Sequence, residues 1–240
     1  IILDDAFQHR ALKPTLSIVL IDHNRPSFKD FLLPLGRLRD LPERVHEADV
    51  LIVTKCPYDM NSWQKCTWAD NLGLKNFNAK ECYGIRPDGQ KQYLFFTSIT
   101  YDTPEAIFPE GDPRYIHSKR LILFSGIAND TPMARWLSGE YKIVKRFKFP
   151  DHHQFSKGNI ASISSAALAH STAVVMTTEK DAQRIRDCKR LSYDMKMRMF
   201  FLPIKTRFVE EEEEKIFISV VRKSLTGSDS EIPPTPREWY

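Results

Sequence analysis

The chain opens Ile1-Ile2-Leu3-Asp4-Asp5-Ala6-Phe7-Gln8-His9-Arg10, and how this stretch is read decides how the rest is read. An apolar, β-branched run that stops at two carboxylates has the pattern of a buried parallel strand, with Asp4 and Asp5 at its carboxyl end. Open α/β sheets bind ligands at that end. Mg²⁺ takes oxygen ligands, commonly one or two carboxylates completed by waters and nucleotide phosphate oxygens, so Asp4 and Asp5 form a candidate Mg²⁺ site. A simple turn after a core strand is the plainer alternative. The run has three apolar residues where strands usually have about five or six. No initiator Met, signal peptide or targeting segment precedes it, which predicts that the chain is the C-terminal part of a longer protein.

Outward from this stretch, residues 16–22 and 49–54 predict two further buried strands of the same sheet. Between them lies Leu33-Pro34-Leu35-Gly36-Arg37-Leu38-Arg39-Asp40, too rich in Pro, Gly and Arg to start a plain helix. A guanidinium matches phosphate oxygens bidentately, which would give Arg37 or Arg39 a use beside a nucleotide, although surface arginines are common. A helix is expected over residues 60–72, where Trp63 and Trp68 read as packing residues. Residues 84–91, Gly-Ile-Arg-Pro-Asp-Gly-Gln-Lys, approach a phosphate-binding loop but carry Gln90 at the Lys position, and they read as a turn before a strand at 93–99. Pro104, Pro109 and Pro113 mark the expected domain boundary.

Beyond that boundary one unit repeats. Strands are predicted at 120–124, 141–147, 173–177 and 197–203, followed by helices near 131–137, 157–170, after 178–181 and over 209–223. Strand and helix alternating four times specify a parallel sheet with helices on both faces. The run Glu210 to Glu214 is expected to form the solvated first turns of the last helix, where negative charge suits the macrodipole. The Ser-, Pro- and charge-rich residues 226–240 predict a disordered tail.

Composition narrows the classes. Apolar residues at 42% and charged residues at 28% describe an ordinary globular protein, and no run approaches the roughly 20 apolar residues of a membrane span. The net charge of +4 suits an anionic ligand or membrane surface, but the charges are interspersed, so no nucleic-acid partner is expected. Cys56, Cys66, Cys82 and Cys188 lack metal-ligand spacing and read as reduced thiols, and a structural zinc site is not expected.

Five motifs in order, Asp4-Asp5-Ala6-Phe7-Gln8-His9-Arg10, Leu33 to Asp40 as quoted above, Phe124-Ser125-Gly126-Ile127-Ala128, Phe149-Pro150-Asp151-His152-His153 and Thr178-Glu179-Lys180-Asp181-Ala182, resemble those of the tetraacyldisaccharide 4'-kinase family of bacterial lipid A biosynthesis. The resemblance covers roughly residues 1–187. It departs from the family in Ala6, where Gly is usual, and in Asp40, where Glu is usual. It implies a P-loop kinase that moves the γ-phosphoryl group of ATP, with Mg²⁺, onto the 4'-hydroxyl of an acylated glucosamine disaccharide lipid. It also implies two α/β/α domains, P-loop-like and Rossmann-like with mostly parallel sheets, joined by a two-stranded linker with the active site in the cleft between them. The expected extents are 1–115 for an incomplete first domain with its linker strand and 116–225 for the second. The location implied is the cytosolic face of the bacterial inner membrane, peripheral or anchored through an upstream segment.

The family's Gly-rich phosphate loop and the acidic motif that supplies its base are missing from these residues, so the chain alone is expected to be inactive. Within that frame Asp4 and Asp5 organise Mg²⁺, the first in the manner of a Walker B residue, with Asp5 also catalytic. Gln8 and His9 lie just beyond, and Arg39 with Asp40 contacts the nucleotide or the transferring group. His152 reaches the chemistry, and its alternative is helix entry with Asp151 or a neighbour as the cap. Thr178 to Asp181 read as a turn holding the second domain together. Two other classes fit parts of the pattern: a different nucleotide-dependent P-loop or Rossmann-type enzyme, and a non-catalytic binding module.

Overall fold

The two apolar runs flanking the Arg-rich segment form β1 (Ile18–Asp22) and β2 (Val50–Thr54), paired in parallel from Ile18 with Val50 to Asp22 with Thr54. These assignments come from a computed structural model that describes residues 1–9, 11–186 and 191–226; Arg10, Cys188 and the tail past residue 226 lie outside them. Helix α1 (Ser62–Asn71) starts at a capping box in which Asn61 accepts from the Gln64 amide and Gln64 from that of Asn61. Short strands β3 (Lys75–Asn78) and β4 (Tyr83–Ile85), which the sequence does not announce, lead through the expected turn into β5 (Lys91–Tyr101). The sheet order is β1-β2-β5-β4-β3, parallel from β1 to β5 and antiparallel thereafter.

Past the linker strand come β6 (Glu105–Ala106), β7 (Arg120–Ser125), α2 (Thr131–Leu137), β8 (Lys142–Lys148), α3 (Lys157–Ala169), β9 (Val174–Thr178), α4 (Glu179–Arg186), α5 (Tyr193–Arg198) and β10 (Met199–Leu202). Their sheet runs β6-β10-β9-β7-β8, parallel except for β6. Alternation of side chains along each strand makes both faces core. Ile122, Phe124 and Val175 pack with Ile160 and Ile163 of α3 and Ile185 of α4, while Leu121, Leu123 and Met176 pack with Met133 and Leu137 of α2. The chain then returns through β11 (Ile204–Phe208), paired with β5, to α6 (Glu211–Thr226).

The chain divides into two units, Ile1–Ile99 together with residues from Thr206 onward, and Thr100–Lys205. This differs from the expected extents: the last helix belongs to the first unit, where Ile216, Phe217 and Val220 cover Val50, Ile52 and Phe95 on the face opposite α1. The acidic start of α6 is likewise not uniformly solvated. Glu213 is 2% exposed, pairs with the buried Lys65 of α1 and accepts from the Phe96 amide at 2.9 Å, while Glu210 accepts from Lys65 at 2.6 Å. A lysine buried under the helix needs carboxylates facing it.

The opening run is also corrected. Residues 1–3 form no strand, and Ile1, Ile2 and Leu3 are exposed. No strand among the described residues accepts their backbone bonds, and with their side chains exposed nothing offsets the entropy of ordering them.

Candidate active site

Asp4 and Asp5 sit in an exposed bend, Asp5 at φ +50°, followed by a turn closed by the His9 amide on the Ala6 carbonyl at 3.0 Å. Phe7 anchors the turn by packing against the first core, and Arg44 lies over its ring at 5.3 Å, while Gln8 and His9 face solvent. Asp4 has no hydrogen-bond partner among the described residues, and Asp5 accepts from Arg39, Nη2 to Oδ1, at 3.1 Å. Both members of that pair are more than half exposed, so it orients groups and contributes at most about 1 kcal/mol to stability.

The Arg-bearing loop has a local explanation. Asp30 Oδ1 accepts from the amides of Phe31 at 2.8 Å and Arg37 at 3.2 Å, and the Leu38 and Gly36 amides bond back to Phe31 and Leu32. A Cβ at position 36 would lie 2.1 Å from the Phe31 carbonyl oxygen, so only glycine lets the loop close. The stitched loop carries Arg37 and Arg39 outward. Asp40 pairs with Arg44, which also grips Glu47 at 2.8 Å and thereby ties the end of the loop down. At the carboxyl end of β1, burial would raise the Asp22 carboxyl, but hydrogen bonds from Lys55 and Asn24 hold it below its ordinary range.

Two adjacent carboxylates, one without a partner among the described residues, offer the oxygen donors that Mg²⁺ prefers. No cluster of three or more potential metal-ligating side chains occurs among the described residues.

In the second unit the sheet order reverses direction between β7 and β9, the switch point at which doubly wound sheets bind ligands. Here the protein fills the crevice itself. Asp181, fully buried, accepts from the Gly126 amide and the Thr178 hydroxyl at 2.8 Å each and from Arg184 at 3.0 Å. The amide that a Rossmann site offers to a pyrophosphate is therefore taken. Next to it Asp130 is also buried and receives Ser125 at 2.8 Å and Arg146 at 2.7 Å; burial would raise its carboxyl, but these donors hold it below the ordinary range.

His152 and His153 separate cleanly. His153 stacks on Phe149 at 4.7 Å and bonds Asn159 at 2.9 Å, a packing role. His152 has φ +60° and a 70% exposed side chain, with Lys180 and Arg184 as neighbours. The cap of α3 is Ser156, which accepts from the Asn159 amide, rather than Asp151. Sequence reasoning passed over Arg184 and the Lys65–Glu213 pair. Arg184 follows Lys180 by four residues on α4, and that helical spacing was the available signal.

The model of the tetraacyldisaccharide-1-P 4'-kinase family matches residues 1–223. The tetraacyldisaccharide 4'-kinase of Parabacteroides distasonis is 32% identical over 229 residues, covering 92% of this chain and 58% of the relative. That of Phocaeicola vulgatus is 30% identical over 238 residues, covering 95% and 61%. A crystal structure of the Aquifex aeolicus LpxK protein in complex with ATP superposes with a TM-score of 0.53 at 21% identity, over 91% of this chain and 55% of that one, and shares its fold. The chain thus spans a little under two thirds of the length of these relatives. With a family model matched over nearly its whole described length, the chain belongs to the tetraacyldisaccharide-1-P 4'-kinase family.

Proposed function

We propose that this chain serves in the transfer of the γ-phosphoryl group of ATP to the 4'-hydroxyl of an acylated glucosamine disaccharide, a step of lipid A biosynthesis at the cytosolic face of the bacterial inner membrane. The observation that carries this reading is Asp4, without a partner among the described residues, beside the Asp5–Arg39 pair, in a chain matched by the family model. Among the described residues no helix is long and apolar enough to cross a membrane.

Phosphoryl transfer depends on positioning and on neutralising charge. Asp4 and Asp5 are the residues that would hold a Mg²⁺ ion, directly or through water, and the ion would supply neutralisation of phosphate charge there. Arg39, kept outward by the stitched loop and oriented by Asp5, would exchange part of that pairing for a phosphate oxygen. Gln8 and His9 border the same turn and would contact the nucleotide, with Asp40 fixing the loop end through Arg44.

The 240-residue chain alone would lack the phosphate cradle and show little turnover, because carboxylates and a few basic side chains do not replace a Gly-rich loop. The test therefore uses the kinase with the further sequence that its relatives possess. Asp4→Ala should lower kcat by about 10²-fold or more while leaving the melting temperature in place. Unchanged turnover would remove the metal assignment.

A further inference from the structure

Two ties join the carboxylate bend to the Arg-bearing loop, and they differ in kind. The outer tie is the Asp5–Arg39 pair, with both side chains more than half exposed. The inner tie runs through Arg44, whose side chain is 11% exposed. Its guanidinium lies over the Phe7 ring at 5.3 Å and spends its edges on carboxylates: Nη1 donates to Asp40 Oδ2, Nε to Glu47 Oε1 at 3.0 Å and Nη2 to Glu47 Oε2 at 2.8 Å. Phe7 stands two residues after Asp5, and Asp40 one after Arg39. A closed circuit therefore runs from Asp5 through Arg39, Asp40, Arg44 and Phe7 back to Asp5.

Arg44 stands on a fixed base. It belongs to the short 3₁₀ helix Pro42–Glu47, which the fully buried Gln92 of β5 holds to the first sheet by donating to the Val45 carbonyl at 2.8 Å and the Ala48 carbonyl at 2.6 Å. Asp40 has a donor on each oxygen, the Leu41 amide on Oδ1 at 2.9 Å and Arg44 on Oδ2, so its carboxylate fastens the loop rather than standing open to a ligand. An exposed ion pair opens readily because water solvates both partners, whereas a guanidinium engaged on its edges and on one face keeps its geometry.

We propose that Arg44 is a positioning residue for phosphoryl transfer: through Phe7 and Asp40 it keeps the bend and the loop in register while Arg39 leaves Asp5 for a phosphate oxygen. The exchange at Arg39 rests on the kinase reading, and the register held by Arg44 does not. Lysine is no substitute, since a single ammonium has neither the fork that spans Asp40 and Glu47 nor the flat face that covers Phe7.

The order of the two ties is read by NMR in the 240-residue chain with labelled phenylalanine and arginine. Asp5→Asn weakens the outer tie and should leave the Phe7 ring signals in place, whereas Arg44→Lys should move both the Phe7 ring and the Arg39 Nε–H signals. Phe7 signals that move as far with Asp5→Asn as with Arg44→Lys overturn the proposal. In the kinase with the further sequence that its relatives possess, Arg44→Lys should raise KM for ATP about tenfold, the scale of residues that orient ligand-binding groups, and leave KM for the acylated disaccharide within about twofold. A merely structural loss would lower kcat and leave both KM values where they are. Phe7→Leu should raise KM for ATP in the same way, and the double variant should go no further than the larger single one, because both act through one contact. An unchanged KM for ATP, or single effects that multiply, overturns the proposal. Failure of the kinase reading would show instead as unchanged turnover in Asp4→Ala, and the NMR comparison would still decide whether Arg44 holds the register.

Discussion

The carboxylates of the two units are used in opposite ways. Asp130 and Asp181 of the second unit are buried and receive several donors each, whereas Asp4 and Asp5 of the first lie in an open bend, one with no partner among the described residues and the other with a single exposed arginine. In the sequence both sets look alike, short polar motifs after apolar runs. What separates them is the saturation of their lone pairs: a carboxylate whose oxygens are filled by amides, hydroxyls and guanidinium groups holds a loop in place, and one left open has oxygens to give to a ligand. Glu213 falls with the saturated set, since it is filled by Lys65 and the Phe96 amide and closes α6 over the first sheet.

The largest effect should come from that last carboxylate. Glu213→Ala leaves Lys65 buried with one remaining partner and strips the Phe96 amide of its acceptor, and thermal or denaturant unfolding should show a loss of about 3–5 kcal/mol. Lys65→Met combined with Glu213→Leu should recover part of it, because the pair then vanishes together with its desolvation cost while the Phe96 amide stays without its acceptor. A loss under ~1 kcal/mol in the single variant would place Glu213 with the open carboxylates and break the division.

A smaller effect, about 1–3 kcal/mol, is expected for Asp130→Asn at neutral pH, the scale of hydrogen bonds to a charged group. The pH dependence has a definite sign. The folded carboxyl is held below its ordinary value of 3.8, so its contribution is present above that value and is lost as the pH falls through 3.8 towards the folded one. Unfolding followed over this acid range should therefore be steeper in the unaltered chain than in Asp130→Asn; equal slopes would show that Arg146 and Ser125 do not stabilise the charged form.

The smallest effect belongs to Asp4→Asn and Asp5→Asn, which should each shift the stability of the 240-residue chain by no more than about 0.5 kcal/mol, as exposed groups with weak or no pairing do. A loss on the scale of Asp130→Asn would mean that the bend is architectural and that the open oxygens are not held for a ligand.

The sheet strands β1, β2, β5 and β7 to β10, and the helices α1 to α3, were legible because their apolar runs and periods are local properties. So was the motif that carries Gly36, whereas Asp30, which closes the same loop, stands outside the motif and was not singled out. The short strands β3 and β4, with sequences such as Lys-Asn-Phe-Asn, carry no alternation strong enough to declare themselves and form because β5 offers them an edge. The misreading of residues 1–3 has the same root, since an apolar run becomes a strand only where another strand accepts its backbone bonds.

By itself, then, the sequence determined the two α/β regions, their order and the motif set that marks the family, because hydrophobic period and turn chemistry act over a few residues. Only the tertiary structure decided that α6 returns to the first unit, that Glu213 is buried against Lys65 while its neighbours in the same acidic run are not, and that His152 faces Arg184 while His153 packs on Phe149. The physical reason is that lone pairs and charges are satisfied by partners distant in the chain, 148 positions away for Lys65 and Glu213 and 32 for His152 and Arg184, and nothing in local pattern records which of several equivalent groups will meet them.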